Sequence, residues 1–420
     1  MLAFKNDRNV DYLLFFAWLC KVVAAVLLGY IYQDFYSTGD TFSLFEDGQR
    51  LKDLAEDNLS AYTQVLLNTL AGSKSEFSIA LANSNPRAVL MSLFNSFLIF
   101  IFGENYWLVA MVAASINFFA ALLLIQQLQK IFQISTTKLY IAFFFFPSVL
   151  LWSSGLLKEN LLTAGLYIAL VLYLKISVLK KANTNYLKSS IYVFLLSILL
   201  FLLFRLKYYY VAVFVPLLLA HYTAKKLTVA SDYWQNMYFR LGVMLLVFSL
   251  LVLAATHTHP NLKLGNILGA IVENNQKMVS ETSNPKNLIV YHDLSAELSS
   301  FVKNLPQAFM QGLLRPYVWE SGHILKRLAA LENSILIIMV IYALYRLFAQ
   351  QRSITHYLEV FAVILFCTIM LALLAMATPN LGTLARYKVG FLPFLLLLVF
   401  PSNFKLSTLY AMMSKQLKQG

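Results

Sequence analysis

The stretch "FFFFPSVLLWSSGLLKENLLTAGLYIALVLYL", residues 143–174, places a Lys-Glu pair between two strongly apolar runs. The polar residues are concentrated in its middle, in "WSSGLLKEN" at 152–160. Apolar runs on both sides of a short polar segment predict two membrane-spanning helices that are joined by a turn.

The same pattern continues along the chain. Of its 420 residues, 59% are apolar and only 13% are charged, which is unlike the composition of soluble domains. Apolar stretches recur from Asp11 to Leu409, and each can cross a hydrocarbon core roughly 30 Å thick. We therefore predict an all-α, polytopic membrane protein.

The hydropathy pattern predicts ten transmembrane helices. They cover residues 12–33, 106–126, 138–152, 156–175, 188–206, 208–224, 239–256, 332–349, 356–377 and 388–405. If the short apolar stretch 88–102 also crossed, basic loops such as 175–188 would move outside, against the positive-inside rule. We interpret 88–102 as an interfacial or re-entrant helix. Ten crossings then place both termini in the cytoplasm.

This topology gives a single transmembrane domain, residues 1–420, with two long extracytoplasmic loops, 34–105 and 257–330. Long loops in a compact protein usually carry function or fold as small structures of their own. Helical patterns at 262–279 and 294–314 lie in the second loop, with Pro306 as a kink or break.

Six basic residues lie on the extracytoplasmic side in this topology, at or just inside the ends of spans. They are Lys158, Arg205, Lys207, Arg315, Arg386 and Lys388. Snorkelling to lipid headgroups, or pairing with nearby carboxylates, explains any one of them. A shared anion explains the set better, and the phosphate or diphosphate of a lipid-linked sugar suits this layer.

Short polar segments surround two of these cations, Lys158 and Arg315. In "SSGLLKEN", Ser154 and Lys158 are four residues apart, which predicts one shared helix face. In "RPYVWE", Trp319 is suited to the membrane interface or to stacking on a sugar ring, and Glu320 follows it. We expect Glu159 and Glu320 to orient the cations or to contact an acceptor.

Asp40, in "YSTGDTF", is the first candidate for a general base or a metal ligand, because it follows the first span by only a few residues. The acids that follow it are most simply read as a solvated acidic loop. They are Glu46, Asp47, Asp53, Glu56 and Asp57.

Other function classes find little support. The closest histidines, His257 and His259, lie in turn material without an acidic partner nearby. The chain has no GxSxG, Walker A or strand-linked GxGxxG motif, and we expect no nucleic-acid partner, since the net charge of +13 is explained by membrane topology.

The loop with "TGD" after the first span, the segment "NPRAVLMSLFNSFLIFIFGENYWLVAMVAASINFFAALLLIQQLQKIF" and "FPSVLLWSSGLLKEN" resemble polytopic glycosyltransferases of the GT-C superfamily. The resemblance is to the branch of protein-mannosyl and lipid A aminoarabinose transferases, and to membrane proteins of bacterial polysaccharide clusters. It implies a catalytic acid at Asp40, a juxtamembrane helix at 88–102 and a second polar site position at Lys158 and Glu159.

The resemblance implies a bacterial inner-membrane enzyme that moves a sugar from a polyprenyl-phosphate-linked donor to a glycan, lipid or protein acceptor. It leaves open whether a divalent cation, Mg²⁺ or Mn²⁺, takes part. A polysaccharide polymerase or ligase acting on undecaprenyl-linked glycans is an alternative within the same pathway. A transporter or flippase of lipid-linked glycans is another, although the sequence shows no two-half repeat and no matched pair of interrupted spans.

Overall fold

The structure is a computed structural model that describes most of the chain. Its described ranges are 8–35, 40–73, 80–178, 186–227, 236–257, 262–320, 322–349 and 356–400. His259 and the end of the last predicted span, residues 401–405, lie outside these ranges.

The described chain consists of helices and their connections, as the sequence predicts. The α-helices are α1 (Arg8–Tyr30), α2 (Asp40–Asp57), α3 (Leu59–Ala71), α4 (Pro86–Phe102), α5 (Tyr106–Phe132), α6 (Thr136–Tyr140), α7 (Pro147–Trp152), α8 (Lys158–Val178), α9 (Tyr186–Leu227), α10 (Met237–Ala255), α11 (Leu264–Glu281), α12 (Leu298–Leu314), α13 (Ile324–Ala349), α14 (Tyr357–Ala377), α15 (Leu381–Tyr387) and α16 (Leu392–Val399). Short π-helical segments follow α1 and α6, at Ile31–Phe35 and Ile141–Phe145.

Seven helices in the described ranges are long and apolar enough to cross a membrane. They cover Tyr12–Asp34, Tyr106–Phe132, Lys158–Ser177, Tyr186–Lys226, Met237–Ala255, Ile324–Ala349 and Tyr357–Ala377. The chain is therefore an integral membrane protein with several spans. The apolar helix α4, at 17 residues, is shorter than a typical span.

Helix α9 is interrupted near its middle. Its candidate span covers 41 residues, or about 60 Å of helix, which is twice the thickness of a hydrocarbon core. The backbone leaves helical geometry at Lys207, with φ −148° and ψ 79°. This break coincides with the boundary that the sequence predicts between the spans 188–206 and 208–224.

Two other predicted spans are also interrupted. The predicted span 138–152 is divided among α6, a π-helical segment and α7, with Phe146 in extended conformation before Pro147. The predicted span 388–405 begins within a helix pair, Leu381–Gly390 and Leu392–Val399, bent by 74°. Prolines and short polar segments break these helices. The expectation of no matched pair of interrupted spans stays a prediction, because nothing relates these breaks as corresponding positions of two halves.

The chain forms two compact units, the first made of residues 1–127 and 143–211. In this unit α2 packs along α4 and α3, so the first predicted loop folds into three helices. Gly48 allows the close approach, because a Cβ there would lie 2.9 Å from Cβ of Asn95. The helix predicted at 88–102 is present as α4, and its juxtamembrane position stays a prediction.

The second unit comprises residues 128–142 and 212–420. Its helices α11 and α12 pack against α14, and they match the helical patterns predicted at 262–279 and 294–314. The predicted break at Pro306 is wrong, because α12 continues through this residue. Where α12 meets α14, Gly312 faces Ala375 so closely that a Cβ on the glycine would lie 2.7 Å from that of the alanine.

The turn between α7 and α8 depends on Gly155. Its φ of +67° lies in the left-handed region, which side chains other than glycine disfavour. A Cβ there would also lie 3.1 Å from Cδ2 of Leu28, on α1.

We expect Gly155→Ala to destabilise the protein by about 1–2 kcal/mol, because alanine pays the cost of left-handed backbone in a tightly packed turn. Gly242→Ala is the matched control, since a Cβ at Gly242 meets nothing within 4 Å and its position is helical. Thermal unfolding in detergent should show a lower midpoint for the first variant only. Equal midpoints would contradict this account of the turn.

Candidate functional site

Within the segment "WSSGLLKEN", residues 153–157 form a tight turn. Helix α8 begins directly after this turn, at Lys158. Ser154 lies in the turn, where its hydroxyl donates to the carbonyl of Leu150 at 2.6 Å. The predicted helix face shared by Ser154 and Lys158 is therefore wrong, because the helix starts later than expected. Lys158 is half-buried and Glu159 is buried in the first turn of α8.

Glu159 forms a buried ion pair with Lys207. The Nζ of Lys207 donates to Oε1 of Glu159 at 2.7 Å, and the two side chains are 6% and 3% exposed. Because Lys207 lies at the break in α9, this pair ties the start of α8 to that break. The expected roles of Glu159, in orienting a phosphate-binding cation or in catalysis, stay predictions.

Amide and hydroxyl groups continue from this pair into the same unit. The side-chain amide of Asn160 donates to the carbonyl of Gly155 at 2.7 Å. Asn117 on α5 donates to the carbonyl of Asn160 at 2.9 Å and to the hydroxyl of Thr163 at 2.7 Å. All three side chains are buried, so the start of α8 is fixed by hydrogen bonds as well as by charge.

Lys21 is a buried cation that is not among the site residues predicted from the sequence. It lies within α1, is 1% exposed, and donates to the hydroxyl of Ser153 in the turn. Lys21 is also the one charged residue between Tyr12 and Gln33. An ionisable residue inside a span is a recognised signal for function, so the sequence contained the clue.

Asp40 is the first residue of α2 and is exposed. Its backbone carbonyl accepts a hydrogen bond from the hydroxyl of Ser43 at 3.2 Å. Its catalytic role stays a prediction.

The prediction of a solvated acidic loop is wrong for Asp47. It is buried on α2 and accepts hydrogen bonds from the backbone N–H groups of Ala82 at 2.8 Å and Asn83 at 3.3 Å. Asp47 therefore anchors the segment that precedes α4. The other acids of this stretch, Glu46, Asp53, Glu56 and Asp57, are exposed on α2.

Arg205 contacts the end of α3. Its Nη2 donates to the carbonyl of Thr69 at 3.0 Å, at a helix terminus where a positive charge is favourable. A side chain at Gly72 would collide with this guanidinium, so the glycine at the end of α3 makes room for it.

In the second unit, Arg315 is held by Glu320 and by the backbone. Its Nε and Nη2 donate to the two carboxylate oxygens of Glu320 at 2.7 and 3.0 Å. Its Nη1 and Nη2 also donate to the carbonyls of Leu288 at 2.7 Å and Lys286 at 3.0 Å. Lys326 contacts Glu320 at 3.1 Å, so this carboxylate is shared by two cations.

The environment of Glu320 holds it in its charged form. Burial by itself would raise the pKa of Glu320, but hydrogen bonds from Arg315 and Lys326 outweigh it, and the pKa is lowered below its ordinary value of 4.5. Burial and the charge of Lys326 lower the pKa of the neighbouring His323. Arg315, Glu320 and Lys326 form what we call the Arg315 clasp.

The three remaining predicted site residues also lie in the second unit. Trp319 is 77% exposed, and its ring is stacked on that of Tyr317 with centroids 4.7 Å apart. Lys388 is buried at the bent helix pair, and the guanidinium of Arg386 lies 5.4 Å from the ring centroid of Tyr387.

The six predicted cations are divided between the units. Lys158, Arg205 and Lys207 belong to the first, and Arg315, Arg386 and Lys388 to the second. The structure joins Glu159 to Lys207 and Glu320 to Arg315. One anion shared by all six stays a prediction.

No group of three His, Cys, Asp or Glu side chains comes together as a metal site within the described ranges. The participation of Mg²⁺ or Mn²⁺ stays a prediction, because a divalent cation can also be held by one or two carboxylates together with substrate phosphate.

Comparison with known proteins adds no further assignment: the chain matches no protein-family model, no curated protein and no solved structure.

We expect Glu159→Leu to destabilise the protein by about 3–5 kcal/mol, because Lys207 would remain buried without its carboxylate. The double variant Glu159→Leu with Lys207→Met should recover most of that loss, since two apolar side chains need no partner. The free energies of unfolding in detergent of Glu159→Leu, Lys207→Met and the double variant give the coupling energy between the two side chains. If the double variant loses as much stability as the two single variants together, the ion pair contributes nothing.

The Arg315 clasp should weaken in acid. Because the pKa of Glu320 is lowered on folding, its contribution to stability is present above pH 4.5 and is lost as pH falls through the lower folded value. The difference in melting temperature between the wild type and Glu320→Gln should be constant near neutral pH and shrink below 4.5. Glu297→Gln, which changes an exposed acid of the same unit, is the control; a difference for Glu320→Gln that does not vary with pH would contradict this reading.

Proposed function

We propose that this protein is a membrane glycosyltransferase that moves a sugar from a polyprenyl-phosphate-linked donor to a hydroxyl of a glycan, lipid or protein acceptor. The observation that carries this proposal is the arrangement of the first unit. An exposed carboxylate, Asp40, begins the helical layer α2–α4 directly after the first span, and cations lie on spans of the same unit.

The proposed reaction is a displacement at the anomeric carbon of the donor sugar. Asp40 accepts the proton of the acceptor hydroxyl, and the acceptor oxygen forms the new bond to the anomeric carbon. The bond between that carbon and the phosphate oxygen breaks, and the electron pair leaves with the polyprenyl phosphate. Basic side chains stabilise the negative charge that develops on this leaving group.

The structure changes which residues we assign to these steps. Lys158 and Arg205 remain candidates for contact with phosphate. Lys207 is neutralised by Glu159, so we assign this pair to positioning the start of α8. Arg315 is neutralised by Glu320 in the same way, so the clasp is assigned to holding the connection between α12 and α13.

We place this site on the extracytoplasmic face of a bacterial inner membrane, with both termini in the cytoplasm. The positive-inside rule supports this orientation, because it assigns the basic loops around 175–188 and 225–240 to the cytoplasm. A polyprenyl-linked donor would then reach the site from the outer leaflet.

We expect Asp40→Asn to reduce sugar transfer by at least about 100-fold, because the amide cannot accept the acceptor proton. Asp57→Asn, at the exposed end of the same helix, should leave transfer unchanged. The assay follows radiolabelled sugar from a polyprenyl-phosphate donor into glycan, lipid and protein fractions of membranes. Full activity of Asp40→Asn would exclude Asp40 as the base, and blocks of repeat units in the product would indicate a polymerase.

Transport of a lipid-linked glycan is a second candidate function, and the interrupted helices favour it. Broken membrane helices often line substrate sites in transporters, and the described chain contains a break at Lys207 and a bend of 74° between Leu381–Gly390 and Leu392–Val399. Proteoliposomes with a fluorescent lipid-linked glycan would separate the two functions. Movement of the lipid between leaflets without sugar transfer supports transport, and transfer without movement supports the enzyme.

A further inference from the structure

Arg205 has an unsatisfied donor beside its bond to α3. Its Nη2 is used by the carbonyl of Thr69, but its Nε is buried and has no hydrogen-bond partner among the described residues. Burying a charged donor without an acceptor is unfavourable. The hydrogen bond to the end of α3 therefore satisfies Nη2 of this guanidinium but leaves Nε without an acceptor.

A second guanidinium contacts α9 close to Arg205 in the sequence. Arg87, in the first turn of α4, lies over the ring of Tyr208 with 4.8 Å between Cζ and the ring centroid. Because Tyr208 follows Arg205 by three residues on α9, this contact brings the two positive charges into the same part of the first unit. The cation–π contact fixes the position of Arg87 but does not neutralise its charge.

Neither arginine forms an ion pair within the part of the chain that the structure describes. Lys207 and Arg315, by contrast, are paired with Glu159 and Glu320. Two guanidinium groups in one region without a carboxylate are unfavourable unless an anion lies near them. The arginines come from different helices, α4 and α9, so the fold brings them together.

We propose that Arg87 and Arg205 form a binding site for a phosphate group. Guanidinium groups present forked N–H donors that match the oxygens of phosphate, and two of them can bind one phosphate from two sides. The phosphate can belong to a lipid headgroup or be free in solution. This inference rests on the proposed function for its biological role, since it identifies where the donor phosphate binds, but its chemistry depends only on the two arginines.

The test measures binding of polyprenyl phosphate in nanodiscs, and of inorganic phosphate in detergent, to the full-length protein. Arg87→Gln and Arg205→Gln should each weaken binding by roughly tenfold or more, because each removes charge-assisted hydrogen bonds. Arg87→Lys keeps the charge and the fold but loses the fork, so it should give an intermediate affinity. Lys303→Gln removes one exposed positive charge from the other unit and should bind as the wild type does.

Binding of the lipid but not of inorganic phosphate identifies a headgroup site, and competition by inorganic phosphate identifies a general phosphate site; both support the proposal. Wild-type affinity in both glutamine variants overturns it, as does a wild type that binds neither probe. Glu76, which lies outside the described residues, supplies a further variant. If a wild type that binds neither probe gains phosphate binding in Glu76→Gln, a carboxylate of the chain neutralises the arginines and the proposal is wrong.

The two proposals can fail separately. Phosphate binding that depends on both arginines, in a protein that transfers no sugar, retains the site and removes the glycosyltransferase function. Sugar transfer that survives in Arg87→Gln and Arg205→Gln with unchanged donor affinity retains the function and removes this site.

Discussion

The buried ion pair between Glu159 and Lys207 is the interaction on which the first unit depends. Both side chains are buried away from solvent, so each charge needs a partner that also belongs to the protein. Lys207 lies where α9 leaves helical geometry, and Glu159 lies in the first turn of α8. The pair thereby fixes a break in one long apolar helix against the start of another.

The turn before α8 follows from the same constraint. Helix ends leave backbone carbonyls without intrahelical partners, and here the amide of Asn160 satisfies the carbonyl of Gly155. Asn117 then reaches from α5 to the carbonyl of Asn160, and Lys21 reaches from α1 to Ser153. Side chains from α1, α5 and α8 thus form hydrogen bonds with the turn and with the first turn of α8. These bonds fix the position of the turn, which apolar contacts alone would specify less well.

The sequence predicted what depends on local composition. Hydropathy predicted the seven helices that are long and apolar enough to cross a membrane in the described ranges, together with spans that the structure interrupts. The position of Lys207 coincides with the break in α9, and periodicity located α11 and α12. The sequence did not predict pairings between distant residues: Glu159 and Lys207 are 48 positions apart in the chain. Asp47 shows the same limit, because its acidic surroundings suggest solvent, whereas the backbone N–H groups that bury it come from residues 82 and 83.

Charge neutralisation also decides which cations can bind an anion. A shared phosphate held by Arg315 would have to displace Glu320, whose two oxygens already accept hydrogen bonds from that guanidinium and contact Lys326. Removing one partner from such a buried pair is costly, since the other charge then remains unpaired. At Arg205 no carboxylate of the described chain has to be displaced, and a buried Nε already lacks an acceptor. At Arg205, in contrast to Lys207 and Arg315, phosphate binding therefore relieves an unfavourable arrangement rather than breaking a favourable one, and Arg87 is the partner that only the fold reveals.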